Sequence, residues 1–118
     1  MLLSPGLDYS LKELDGIRIL GLSGSITIIG FDILIPALHN LTERDSLIID
    51  MESIDFLTSS GINALVDVSY YAKEHGNRVI LMHIDNDLVD LIDFVDCYRH
   101  FIFAESFEEA KTKIEYYI

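Results

Sequence analysis

The sequence predicts a single α/β domain over residues 1–118, with a mixed, mostly parallel sheet, an N-terminal β-hairpin and about four helices. Three observations predict it. Short apolar runs alternate with stretches of helical periodicity, an Asp-Gly pair separates two strand-like runs near the N-terminus, and half of the 118 residues are hydrophobic. A chain of this length buries roughly two-thirds of its unfolded surface, so a core forms without disulfides or metals.

Tyr9 to Leu14 and Ile17 to Leu22 flank Asp15-Gly16, a dipeptide that tolerates the positive φ of a two-residue turn. Ser23-Gly24-Ser25 is expected to break the second strand. Phe31, Leu34, Ile35, Leu38 and Leu41 recur at helical spacing, and Pro36 either sits in the first turn of that helix or kinks a helix that starts earlier. Ser46 to Met51 reads as a strand covered on both faces, followed by a turn at Glu52 to Leu57. From Ser59, the residues Ile62, Leu65, Val66 and Ala72 trace one helical face that ends at Gly76-Asn77, where Gly76 fits a C-cap. Arg78 to Ile84 is the next strand. Leu88, Leu91, Ile92 and Val95 line a third helix, Phe101 to Phe103 form a short last strand, and Phe107, Ala110, Ile114 and Tyr117 mark a closing helix.

Eight Lys and Arg stand against twenty Asp and Glu, a formal net charge of −12. The two halves are balanced: nine acids and three bases in residues 1–58, eleven acids and five bases in residues 59–118. Such a chain repels phosphate backbones and anionic headgroups, so neither nucleic acid nor an acidic membrane is an expected direct partner. No apolar run reaches the ~20 residues of a membrane span, and Met1 to Pro5 lacks the pattern of an export signal. The expected location is the cytoplasm. Asp85, Asp87, Asp90, Asp93 and Asp96 fall in a segment without Lys or Arg. A three-residue step turns about 300° around a helix, so these carboxylates do not converge on an ion; they read as a solvated face or, alternatively, as a docking surface for a basic partner.

The ingredients of catalysis are thin. His39, His75, His83 and His100 lie in separate elements, no pair has metal-ligand spacing, and Cys97 has no second cysteine. Gly21-Leu22-Ser23-Gly24-Ser25 misses the spacing of a hydrolase elbow, and no phosphate-binding loop is present. The expectation is a non-enzyme without cofactor or metal.

The informative segment is Asp55-Phe56-Leu57-Thr58-Ser59-Ser60-Gly61-Ile62-Asn63-Ala64-Leu65, which places three hydroxyls where a helix begins. One explanation is capping, in which a Thr or Ser oxygen accepts from a free amide of the first turn, worth ~1 kcal/mol. The other is a phosphorylation switch. Free amides and the positive end of the helix dipole tolerate a phosphate carrying about −1.5 to −2 charges.

The order from Leu47 to Ile62, an apolar strand leading to Thr58-Ser59-Ser60-Gly61 and a helix, resembles the STAS-domain signature. With the opening hairpin, Leu22-Ser23-Gly24, the strand of Arg78 to Ile84 and the helix from Leu88, the chain resembles an anti-sigma factor antagonist over nearly its whole length. The resemblance implies a partner switch. The unmodified domain binds an anti-sigma factor that is also a serine kinase, phosphorylation releases it, and a serine phosphatase resets it. By position the phosphoacceptor is Ser59, with Thr58 and Ser60 as alternatives. The implied partner surface holds Asp55, Thr58, Ser59, Ser60 and Gly61 together with Ser23, Gly24, Ser25 and Thr27 of the neighbouring loop. Thr58 stands where the switching members usually carry an acid, and Ser25-Ile26-Thr27 stands where they often have another. A different reading is a non-switching STAS scaffold or small-ligand module, like the STAS parts of transporters. A two-component receiver shares the alternation of elements, but no Lys stands near Phe101 to Phe103 to serve it.

Overall fold

In the computed structural model, residues 2–4 and 6–117 are described. Pro5 and Met1 of the N-terminal reading lie outside them, as does the side chain of Tyr117. The elements run in chain order: β1 (Leu2–Ser4), β2 (Leu7–Leu14), β3 (Ile17–Ile26), α1 (Ile28–Asp32), α2 (Ile35–Arg44), β4 (Leu47–Leu57), α3 (Ser59–Glu74), β5 (Val79–Met82), α4 (Asn86–Phe94), β6 (Ile102–Ala104) and α5 (Phe107–Tyr117). A 3-10 turn at Tyr98–His100 precedes β6.

Among the described residues, six strands pair in sequence order, β1 to β6. The β1–β2 and β2–β3 pairs are antiparallel, and the remaining three are parallel. The hairpin turns where Asp-Gly predicts it, with φ of 53° at Asp15 and 78° at Gly16. Every parallel crossover carries a helix, as chain geometry requires when both strands run the same way.

Two core layers sandwich the sheet. On one face Leu20, Leu22, Leu47, Ile49 and Leu81 pack against Phe31, Leu38, Ile62, Leu65 and Ile92 of α1 to α4. On the other, Ile19, Ile48, Ile80 and Met82 meet Ala110 and Ile114 of α5 alone. The central runs Leu47–Ile49 and Val79–Met82 are buried on both faces, which is why they read as unbroken apolar stretches.

Three expectations are corrected. Ser23-Gly24-Ser25 does not break the strand: β3 continues to Ile26 through register irregularities at Gly21/Ser23 and Gly24/Ser25. Gly24 makes this possible, because at φ 101° the strand passes so close to Gly6 that a Cβ would fall 1.8 Å from its carbonyl oxygen. Nor do Glu52 to Leu57 form a turn. They extend β4 beside the irregular half of β3, pairing Ser53 with Ser23 and Leu57 with Ile26. Ile54 and Leu57 are buried three residues apart, a spacing that hides the period of two. Finally, the helix around Pro36 is two helices. Pro36 sits in the first turn of α2, where its missing amide costs nothing.

The aspartates at 85, 87, 90, 93 and 96 are all exposed. Asp85 caps α4 by accepting from the Asp87 amide at 3.2 Å.

Candidate functional site

Because β3 and β4 are parallel neighbours, their C-terminal ends lie side by side, and a helix leaves each. Ile26 pairs with Leu57, and the Thr58 amide donates to the Ile26 carbonyl at 3.1 Å. This bond brings the two predicted segments together.

Three hydroxyls in a row leave the capping residue ambiguous, and backbone geometry resolves it. Thr58 has extended φ and ψ of −94° and 159°, and its Oγ1 accepts from the Gly61 amide at 3.0 Å. That is N-cap geometry. The Thr58 and Ser60 hydroxyls lie 3.2 Å apart and share a hydrogen bond. Ser59 is the first residue of α3, exposed, and its hydroxyl bonds to no described residue. Gly61 is required by packing: a Cβ there would lie 2.5 Å from the Ile26 carbonyl oxygen. Any larger residue would push the start of α3 off the sheet and carry Ser59 with it.

The adjacent segment contributes unevenly. Ser25 Oγ donates to Asp55 Oδ1 at 3.5 Å, so these two side chains meet across the strands. Thr27 caps α1, its Oγ1 accepting from the Gly30 amide at 3.3 Å. Ser23 is not brought to the cluster. It shares a cleft with Asp8, Ser10, Asp50 and Ser53, on the α5 side of the sheet that the Ile19 and Ile48 side chains also face. Gly24 contributes backbone shape alone.

Electrostatically, the site is set by amides and carboxylates. No Lys or Arg occurs in the sequence between Arg18 and Arg44 or between Arg44 and Lys73, and the free N–H groups of α3 add positive potential at its start. The structure adds three side chains that sequence reasoning missed: Ile29 is 79% exposed, Ile33 57% and Phe56 53%. The signal was present as surplus. Ile29 and Ile33 are apolar residues of one turn's spacing left over once Phe31 and Leu34 claim the buried face, and Phe56 lies between exposed Asp55 and buried Leu57.

The STAS domain family model matches residues 8–110. No curated protein sequence matches the chain. Among solved structures, the Bacillus anti-sigma factor antagonist SpoIIAA in its unphosphorylated form aligns with a TM-score of 0.72 at 15% identity, over 92% of this chain and 96% of that one. An anti-sigma factor antagonist from Mycobacterium paratuberculosis gives 0.73 at 22% identity, over 97% and 99%. The murine anion transporter Slc26a9 gives 0.71 at 21% identity, over 89% of this chain and 18% of the transporter. At these identities the likenesses establish a common fold.

Proposed function

The chain belongs to the STAS domain family, and from that premise we propose that it is an anti-sigma factor antagonist working as a partner switch. Unmodified, it binds an anti-sigma factor that is also a serine kinase; phosphorylated on Ser59, it lets go, and a serine phosphatase restores it. The observation that carries this reading is the division of labour at the start of α3. Thr58 does the capping, Ser60 leans on Thr58, and Ser59 presents an exposed hydroxyl that no described residue uses.

A phosphate on Ser59 would sit at the amide-rich first turn of α3, where it is tolerated. It would leave the global field of a chain at −12 little changed, because surface charges act over about 10 Å or less at physiological salt. Its effect would be local. Added charge and bulk would fall on the start of α3, a helix that packs against α1, and we assign the exposed Ile29, Ile33 and Phe56 to the same partner surface. Desolvating a phosphate against an apolar contact is unfavourable, which gives release its physical cause. ATP and magnesium belong to the kinase in this scheme, so the chain is a protein substrate and not the enzyme. Among the described residues, no helix is long and apolar enough to cross a membrane, which fits a freely diffusing partner.

The test is incubation with an anti-sigma factor serine kinase and ATP, read by mass spectrometry. Wild type gains one phosphate, Thr58→Ala still gains it, and Ser59→Ala does not; equal labelling of Ser59→Ala removes Ser59 from the mechanism. Ser59→Asp should weaken binding to the unmodified chain's partner while circular dichroism stays unchanged. A second reading draws on Thr58 replacing the acid usual in switching members, and on the STAS fold within Slc26a9. It is a constitutive scaffold or small-ligand module, for which Ser59→Asp would leave affinity intact.

A further inference from the structure

A second cluster of chemistry-bearing side chains lies seven residues back along β4 from Leu57, roughly 23 Å of extended strand from the end that leads into Ser59. Asp50 of β4 and His83, the residue after β5, face each other with Oδ1 and Nδ1 3.2 Å apart. Glu52 Oε2 lies 3.5 Å from the same nitrogen. One donor atom from each of the three falls within 4.8 Å of the others.

The backbone builds this convergence. The β4–β5 register pairs Asp50 with Met82, so His83 follows one step later. There it adopts a left-handed φ of 59°, its amide donating to the Ala104 carbonyl at 3.0 Å. A single Nδ1–H can serve one carboxylate well, yet two converge on it. The spacing also suits an ion: a tetrahedral metal with ligands at ~2.1 Å separates its donor atoms by ~3.4 Å, and the 3.2 and 3.5 Å separations lie on either side of that value.

The charges agree. Among the described residues, Asp50 and Glu52 form no ion pair with Lys or Arg. Lys113 lines the adjoining cleft with Glu52 and His83, but it bonds to the Phe103 carbonyl and pairs with Glu109. With a neutral imidazole the cluster holds two negative charges and one nitrogen lone pair. Asp50 and His83 are partly shielded, with side chains 28% and 33% exposed, while Glu52 reaches in from solvent at 73%.

We propose that Asp50, Glu52 and His83 bind a divalent transition-metal ion, zinc in the first instance, with the fourth position open to water. The imidazole sets the class, because calcium and magnesium favour all-oxygen shells whereas one nitrogen with two carboxylates suits zinc and its neighbours. His83 would bind through Nδ1 and keep its proton on Nε2, and the ion would tie β4 to β5. The assignment stands independently of Ser59 phosphorylation.

The experiment is calorimetric titration of zinc chloride into the chelator-treated full chain, with cobalt(II) absorption as a spectroscopic check on the nitrogen ligand. Wild type should bind one ion and melt at a higher temperature with zinc than without. Loss of an outer-shell partner of a metal typically costs ~10–100-fold in affinity, so His83→Ala and Asp50→Asn, which remove ligands, should each cost at least ~10-fold. If His83→Ala fails to fold by circular dichroism, His83→Gln and Asp50→Asn decide by the same criterion. Absence of binding in wild type, unchanged affinity in the variants, or magnesium binding as tight as zinc would overturn the assignment.

Discussion

Two helices leave the same end of the sheet from adjacent strands, and both begin Thr-x-x-Gly. In α1, Thr27 accepts from Gly30 at 3.3 Å; in α3, Thr58 accepts from Gly61 at 3.0 Å. The cap is the same and what it presents is not. The first cap is followed by Ile28-Ile29 and a helix of five residues, the second by Ser59-Ser60 and a helix of sixteen. The long helix is anchored by seven buried residues, among them Gly61 against the sheet. A rigid start therefore holds the hydroxyl, while the short neighbouring helix offers apolar contact. The pairing shows how one local solution to unsatisfied amides can serve two roles, decided by the two residues inside the cap.

The largest expected effects break the frame that aligns the two helices. Gly24→Ala combines a φ of 101° with a 1.8 Å approach to Gly6, so its cost should exceed the ~1–3 kcal/mol typical of overpacking. Gly61→Ala should cost about 1–3 kcal/mol, since its Cβ would press on the Ile26 carbonyl at 2.5 Å. Urea melts with unchanged slope would register both; a neutral Gly61→Ala would show that α3 shifts freely at its start.

Next come the caps themselves. Thr58→Ala should lose ~1 kcal/mol and Thr27→Ala about 0.5 kcal/mol or less, because the second helix is longer and its cap bond shorter. Equal losses would contradict the view that the α3 cap is the stiffer of the two. Changes to the presented residues sharpen the functional side. Ser59→Ala and Ile29→Asp should each leave stability within about 0.5 kcal/mol, as surface substitutions usually do. Ile29→Asp should nevertheless weaken binding of an anti-sigma factor by about tenfold in surface plasmon resonance, a modest hot-spot effect.

The smallest effect concerns the anchor that holds the far end of α3 to α2. Tyr71 donates a hydrogen bond to Glu43. That bond first, then desolvation and the charges of Glu43 and Glu74, raises the Tyr71 hydroxyl above its ordinary pKa of 10.0. The folded chain therefore keeps the phenolic proton to higher pH than the unfolded one. This contact's contribution is complete below pH 10.0 and declines as pH rises beyond it. Melting temperatures of wild type and Tyr71→Phe, followed from neutral to alkaline pH, should converge; parallel curves would remove the Glu43 contact from the account.

Much of this molecule is legible in its sequence because local rules govern those parts. Asp15-Gly16 sets the hairpin, the period of Ile62, Leu65, Val66 and Ala72 sets α3, and the unbroken apolar runs set the central strands. The hydroxyls before Gly61 mark a helix start whatever surrounds them. What local rules miss is pairing. β3 and β4 extend past Ser23-Gly24-Ser25 and Glu52 because each irregular strand is completed by the other, and their burial there follows neither a period of two nor of 3.6. Thr58, Ser59 and Ser60 are chemically interchangeable as caps until the Ile26 carbonyl holds the Thr58 amide and commits Thr58 to the role. Asp50 and His83 are 33 residues apart, and only the parallel register of β4 and β5 sets their side chains together. Composition and periodicity determine which elements form, since these depend on neighbours in the chain. Which side chains meet at their ends depends on strand register, a property of the assembled sheet.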